Sequence, residues 1–127
     1  MMNGIAINKY IYSKLTGCTE LTDIVGGQIY PIIVDENGRF PFLVFTRRNV
    51  AVSYDNDGVA SERCTVVFSA VAKDYTTTVD ILEAVRNLFE LRADDSVNNC
   101  KVIALEEGYY NNCFVQVLTV DFSLETL

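Results

Sequence analysis

The segment from Ser61 to Leu91, SERCTVVFSAVAKDYTTTVDILEAVRNLFEL, decides the fold, because the spacing of its apolar residues changes once along its length. From Ser61 to Lys73, small and apolar residues alternate with a mixed set, which is the two-residue period of a strand. From Asp74 to Leu91 apolar residues return every three or four positions, as in an amphipathic helix capped by Asp74. The predicted core faces are Cys64, Val66, Phe68, Ala70 and Ala72 on the strand, and Ile81, Leu82, Val85, Leu88 and Phe89 on the helix.

The strand before the helix is predicted to be one arm of a long hairpin. Phe42 to Tyr54 forms the other arm, and Asp55 to Gly58 forms the turn. Further upstream, Gln28 to Val34 reads as a short strand. Because Pro31 has no amide proton for a ladder hydrogen bond, this strand is placed at the sheet edge.

A first helix is predicted near the start of the chain by an apolar stripe at four-residue spacing, formed by Ile7, Ile11 and Leu15. Asn3 is its predicted cap, and Gly17 is expected to end it in the left-handed conformation. A short helical turn follows and stops at Gly26-Gly27.

Two strands close the chain, Lys101 to Glu107 and Cys113 to Leu124, with a turn around Gly108 to Asn112. The last strand is apolar on both sides. If a bulge intervenes, one side carries Phe114, Leu118, Val120, Phe122 and Leu124, and the other carries Cys113, Val115 and Val117. Two helices cover only one face of a sheet. The second face is therefore explained either by irregular register or a covering loop, or by a neighbouring subunit.

These elements predict a single α+β domain over residues 1–127. The order α-β-β-β-α-β-β favours a mostly antiparallel sheet of four to five strands with two helices packed on one face.

Composition restricts the functional classes. The formal net charge is -7 and there is no histidine, which disfavours a nucleic-acid-binding surface. The acidity reflects either plain solubility or a functional acidic surface. The start of the chain lacks the pattern of a signal peptide, and no apolar run is long enough to span a membrane. Free thiols in a reducing cytosol are expected for the four cysteines, Cys18, Cys64, Cys100 and Cys113.

Catalytic and metal-binding patterns are weak. Without histidine there is no Ser-His-Asp or Cys-His arrangement. Glu106 and Glu107 are adjacent in a strand, so they are predicted to point to opposite faces. Asp55 to Gly58 matches the first positions of an EF-hand loop, but Val66 stands at the twelfth position, where the calcium loop has glutamate. We therefore expect no enzyme, no bound metal and no cofactor.

The adjacent basic pair Arg47-Arg48 lies within the predicted hairpin, with the two side chains on opposite faces. Either they form ion pairs with local acids, or they make an electrostatic contact with an acidic neighbour. The hairpin from Arg47 to Arg63 is expected to be a mobile protrusion. The residues predicted to form an interface are Arg47, Arg48, Tyr54, Asp55, Asp57, Arg63, Val115 and Val117.

The order and spacing of these elements resemble those of the small tail-completion, or tail-terminator, proteins of long-tailed bacteriophages and prophages. The segments that carry the resemblance are LTDIVGGQIYP at 21–31, FPFLVF at 40–45, the acidic turn at 55–58, the strand at 63–71, the helix at 75–89 and VDF at 120–122. Gln28 departs from the pattern, since a basic residue is expected there, and 32–38 lacks an expected second proline.

The resemblance implies a structural role. Such proteins form rings, often hexamers, that cap the head-proximal end of the tail tube and end its growth. The implied partners are other copies of the chain, the tail-tube protein and the head-tail connector protein, with DNA only as passing cargo and no membrane. The implied location is the bacterial host cytoplasm during assembly, then the virion tail or neck. The alternatives are a neck or head-closure adaptor of the same particle, or a small monomeric ligand-binding or regulatory module.

Overall fold

Three helices and five strands form the part of the chain that the computed structural model describes, residues 3–32, 39–91, 97 and 99–125. In chain order they are α1 (Ile7–Thr16), α2 (Thr19–Val25), β1 (Ile29–Pro31), β2 (Phe42–Asp55), β3 (Gly58–Ala72), α3 (Tyr75–Phe89), β4 (Asn99–Tyr110) and β5 (Cys113–Glu125). The predicted α+β class is confirmed. The short helical turn expected before Gly26 is a complete helix, α2.

The strands form one sheet in the order β1-β2-β3-β5-β4. β1 runs parallel to β2, and every other neighbouring pair is antiparallel. As predicted, the strand that contains Pro31 lies at a sheet edge. It is shorter than the predicted Gln28 to Val34, of which residues 33 and 34 lie outside the described residues.

The register between β3 and β5 is regular from Ser61, opposite Glu125, to Ala72, opposite Phe114. The bulge expected in the last strand is therefore absent. Even-numbered residues from Phe114 to Leu124 share one face without it, because Gln116 takes the polar position between Phe114 and Leu118. The irregularities lie elsewhere, at Arg48 in β2, at Ala60 in β3 and at Ile103 in β4.

The core lies between the three helices and one face of the sheet. The predicted core residues of β3 are all buried, and on α3 only Leu88 is less than fully buried. Phe89 reaches the sheet between two strands, with its ring 5.6 Å from that of Phe68 and 5.3 Å from that of Phe122. Burial of such large aromatic side chains contributes strongly to the driving force for folding.

Helix ends follow the local chemistry. The Asp74 carboxylate accepts a hydrogen bond from the amide of Thr77 at 3.0 Å, so the predicted cap of α3 is confirmed. The Asn3 side chain caps the turn that leads into α1. The left-handed conformation expected at Gly17 is wrong: its φ is -85°, because α2 begins only two residues later. Gly26, which ends α2, has a positive φ instead, at 62°.

The β4–β5 turn is tighter than predicted. Both strands extend to a two-residue turn, Asn111-Asn112, and the expected turn residue Gly108 lies within β4. The two asparagines have φ of 51° and 64°. Two consecutive left-handed residues match the twist of an antiparallel hairpin, and asparagine tolerates that conformation well.

Candidate assembly surface

One face of the sheet carries none of the described helices or strands. The buried residues of β3 and β5 that face the helices alternate with residues that point to the other side. On that other side a cluster of half-buried valines spans three neighbouring strands, with Val117 opposite Ser69 and Val115 opposite Val71. We call this cluster the valine face; its members are Val44, Val67, Val71, Val115 and Val117.

The valine face is apolar surface in contact with water. Each square ångström of apolar surface removed from water contributes roughly 25 cal/mol, so covering this cluster is favourable. Val115 and Val117, both predicted interface residues, lie together on it. Contiguous apolar patches on a small protein are typical of interaction sites.

The same side of the sheet becomes polar toward the β2–β3 hairpin. The hydroxyl of Thr65 donates a 2.7 Å hydrogen bond to the Asp121 carboxylate on the neighbouring strand. Arg63 is exposed beyond this pair. The shallow depression there is lined mostly by small or polar side chains, with one leucine, and offers no apolar enclosure for a ligand. Its walls are Ala51, Ser53, Ser61, Glu62, Arg63, Ser123 and Leu124.

The hairpin tip holds three predicted interface residues, Tyr54, Asp55 and Asp57. Tyr54 is 72% exposed. The Asp55 carboxylate accepts a 2.8 Å hydrogen bond from the amide of Asp57, so it stabilises the turn. The tip and the valine face lie far apart along the strands, because β5 pairs with the hairpin end of β3 through Glu125 and with its other end through Phe114.

Arg47 has a different role from either one expected. Its guanidinium donates hydrogen bonds to the backbone carbonyls of Gly4 at 2.6 Å and Ile5 at 3.1 Å. Glu62 on β3 accepts a 3.1 Å hydrogen bond from the amide of Gly4. Arg47 therefore holds the N-terminal turn against the hairpin instead of pairing with a local acid. Arg48 occupies the bulge of β2 and is exposed.

The two adjacent glutamates of β4 point to opposite faces, as predicted. Glu106 lies opposite Val117, and Glu107 lies opposite Gln116 on the helix side. Glu107 accepts hydrogen bonds from the Tyr75 hydroxyl at 2.6 Å and from the Gln116 amide at 2.9 Å. The hydrogen bond from Tyr75, followed by that from Gln116, lowers the pKa of Glu107, and the Tyr75 pKa is raised by the same bond. This arrangement keeps Glu107 ionised and fixes it structurally.

Tyr75, which donates to Glu107, belongs to a group of aromatic side chains that the sequence analysis did not predict. The Phe114 ring lies 4.8 Å from the Tyr109 ring and 5.7 Å from the Tyr75 ring, both edge to face. Tyr75 and Tyr109 are about half exposed. The signal was present in the even-numbered alternation of the last strand, which places Phe114 on the helix side beside the start of α3.

The thiols show no sign of activation. All four cysteines are free, as expected. Burial is the largest factor that raises the pKa of Cys64 to about 11, so this thiol stays neutral and unreactive near neutral pH. Across residues 3–32, 39–91, 97 and 99–125, no group of three or more acidic, cysteine or histidine side chains converges in a way that would hold a metal ion. No helix in the described part of the chain is long and apolar enough to cross a membrane.

Comparison with solved structures finds a similar fold in a chain from the structure "Virion of native gene transfer agent (GTA) particle". The match has a TM-score of 0.77 at 14% sequence identity and covers 91% of this chain and 92% of that chain. A crystal structure from Akkermansia muciniphila matches with a TM-score of 0.44 at 8% identity, covering 94% of this chain and 49% of that one. No protein-family model matches the sequence, and no curated protein sequence matches it significantly.

The predicted interface residues thus fall into three places. Tyr54, Asp55 and Asp57 lie at the hairpin tip, and Val115 and Val117 lie on the valine face. The three arginines lie between them along β2 and β3, with Arg47 used within the chain. Of these three places, the valine face is the one whose apolar side chains would be stabilised by a covering partner.

Proposed function

We propose that this chain is a structural subunit of a phage-like particle, and that its copies form a ring capping the head-proximal end of the tail tube. The observation that carries the proposal is the similarity of almost the whole fold to a chain of a gene transfer agent virion, at a TM-score of 0.77. Coverage above nine-tenths on both sides means that the similarity concerns the complete domain.

The uncovered valine face supports an assembled state. A half-buried apolar cluster on a sheet is stable in water but gains free energy when a neighbouring subunit covers it. One heterologous contact that repeats with a closing rotation produces a ring from identical copies. The expected neighbours are further copies of this chain, the tail-tube protein and the head-tail connector protein.

The charge of the chain fits a passage for DNA. Each copy carries a formal charge of -7, so a ring concentrates negative charge around its lumen. Like charges on the wall and on the phosphates prevent adhesion of the passing DNA. The groove between α2 and α3 is acidic, with Glu20, Asp80 and Glu83 among its lining residues and no lysine or arginine among the described ones. We expect this groove to face the lumen.

Deletion of the gene from the phage or prophage that encodes it tests the position in the particle. If the chain is a tail terminator, the deletion strain should produce tails of abnormal length that fail to join heads. The gene supplied in trans should restore normal tails. Tails of normal length together with filled, unjoined heads would instead assign the chain to the neck or head-closure adaptor. Normal, infectious particles from the deletion strain would refute a structural role. The assembled particles would carry the chain at the tail or neck, after assembly in the host cytoplasm.

A further inference from the structure

At each side of the sheet, a long stretch of strand edge has no described strand paired with it. On one side β1 pairs only with Leu43 to Phe45 of β2, so the outer edge of β2 continues unpaired to Asp55 among the described residues. On the other side lies β4, which pairs with β5 alone. The amide of Leu91 donates a 2.7 Å hydrogen bond to the carbonyl of Cys100, so the first residues of the β4 edge have a backbone partner. Beyond Val102 the described chain provides no backbone partner.

The β4 edge is protected against pairing only in part. Natural edge strands are short, contain proline, charged residues or bulges, or are covered, because a free ladder of N–H and C=O groups invites another strand. β4 has a bulge at Ile103 and the charged residues Lys101, Glu106 and Glu107. β1 follows this rule with three residues and Pro31. β4 has 12 residues, and its exposed side chains include large apolar ones: Ile103, Leu105, Tyr109 and Tyr110 are 53–65% exposed. These features are typical of an edge that has a partner in the assembled state.

We propose that the partner is a second copy of the chain, and that the outer edge of β4 pairs antiparallel with the Ala51 to Asp55 edge of β2 in the next copy. The proposal rests on the ring-forming role proposed above and adds a strand-edge contact to the one proposed on the valine face. Each step from β2 through β3 and β5 to β4 reverses the strand direction, so β2 and β4 run antiparallel. Joining them across copies therefore continues the antiparallel sheet. Because the two edges are different surfaces, the contact is heterologous and propagates into a ring.

One register matches both charge and polarity. It places Lys101 opposite Asp55 and Val102 opposite Tyr54. After Ile103, the bulged residue of β4, it places Leu105 opposite Val52. Directly opposed residues point to the same face. In this register Lys101 and Asp55 both lie on the helix-free side. Because successive residues of a strand point to opposite faces, the apolar pairs Val102–Tyr54 and Leu105–Val52 lie on the helix side.

The exposure of these side chains agrees with that register. Tyr54, Leu105 and Val52 are 72%, 58% and 38% exposed, so the free chain leaves all three without full cover. Opposed apolar pairs and opposed charges each stabilise a strand pair. The contact uses backbone groups at the sides of the sheet, so it is compatible with a neighbouring subunit on the valine face.

A charge exchange tests the register. Lys101→Glu or Asp55→Lys alone should weaken the association of copies about three- to tenfold per contact, as expected for a partly exposed ion pair turned into a repulsion. The double variant restores the pair with reversed sign, so its rings should be more stable by native mass spectrometry than those of either single variant. The comparison is made with the single variants because Asp55→Lys also removes the turn hydrogen bond and Lys101→Glu also faces Asp121 within the chain. Lys9→Glu, an equal charge change on exposed α1, is the matched control and should leave association unchanged. Failure of the double variant to recover would overturn the register.

Cross-linking tests the edges directly. In a Cys18→Ser background, Leu105→Cys and Val52→Cys proteins are mixed and treated with a short bis-maleimide. We expect a covalent dimer from the mixture and none from either protein alone, because each contact joins one β4 to one β2. A dimer from Leu105→Cys alone would indicate β4 pairing with itself and overturn the proposal. Wild-type rings without the mixed cross-link would refute the edge contact and leave the ring function standing. A wild type that stays monomeric with its tail-tube protein would refute both.

Discussion

Replacement of Val117 by aspartate separates folding of the chain from its assembly. Val117 lies on the helix-free side, between Ser69 on β3 and Glu106 on β4. In the free chain the new carboxylate stays accessible to water. It faces the like charge of Glu106 and loses the strand preference of valine, which together cost about 1–2 kcal/mol of the free energy of unfolding. A domain with a stability of roughly 5–15 kcal/mol remains folded after such a loss.

The cost in the assembly is larger, because a covering subunit would remove that carboxylate from water without a cationic partner. Burial of one unpaired charge costs several kcal/mol, and about 3 kcal/mol per contact reduces an association constant by roughly 100-fold. Thr76→Asp is the matched control: it makes the same charge change at an exposed position in the first turn of α3, where negative charge is tolerated. Val117→Thr keeps the shape and strand preference and should assemble with a smaller loss.

The assay combines circular dichroism of each variant with native mass spectrometry at tens of micromolar, alone and with the tail-tube protein of the same phage. We expect Val117→Asp to give a folded monomer, whereas wild type and Thr76→Asp assemble. Phage carrying Val117→Asp should yield overlong or headless tails, and Val115→Asp should behave alike. A folded Val117→Asp protein that assembles like wild type would refute the role of the valine face.

Further predictions follow from single contacts. Arg47→Ala should lower the free energy of unfolding by about 1.5–3 kcal/mol, measured by urea denaturation, because its charged hydrogen bonds to the N-terminal turn are lost, whereas Arg48→Ala should stay within about 0.5 kcal/mol. Phe89→Ala should cost about 3–5 kcal/mol in the same assay, and a loss below 1 kcal/mol would contradict its central place in the core. The Cys64 thiol should resist maleimide at pH 8, and stability should fall as pH rises from about 9 to 11, because the thiol ionises in the unfolded chain before it does so in the folded one; rapid labelling of the native protein would contradict this. Amides from Ser53 to Ala60 should exchange quickly in the free chain, and strong protection there would count against a mobile hairpin tip.

The main elements could be predicted from the sequence because their apolar periods are local. The β3 alternation and the α3 stripe each identified a core face that the structure confirms, apart from the half-buried Leu88. The cap at Asp74 and the edge position of Pro31 also depend on residue chemistry alone. These features need no knowledge of which distant segments meet.

The features that the sequence did not predict depend on contacts between distant segments. Arg47 bonds to Gly4 and Ile5 across more than 40 residues, and no local pattern indicates that contact. The bulges at Arg48 and Ile103 change the register relative to a partner strand, so they cannot be located before that partner strand is known. The last strand needs no bulge, because Gln116 completes a regular alternation between Phe114 and Leu118.

The central claim is that copies of this chain close into a ring, and native mass spectrometry of the wild-type protein tests it most directly. The protein is measured at tens of micromolar, first alone and then with its tail-tube protein. We predict one closed assembly of a single defined mass in the presence of the tube protein, with six copies as the expected number. A strict monomer under both conditions, with no complex between the chain and the tube protein, would contradict it.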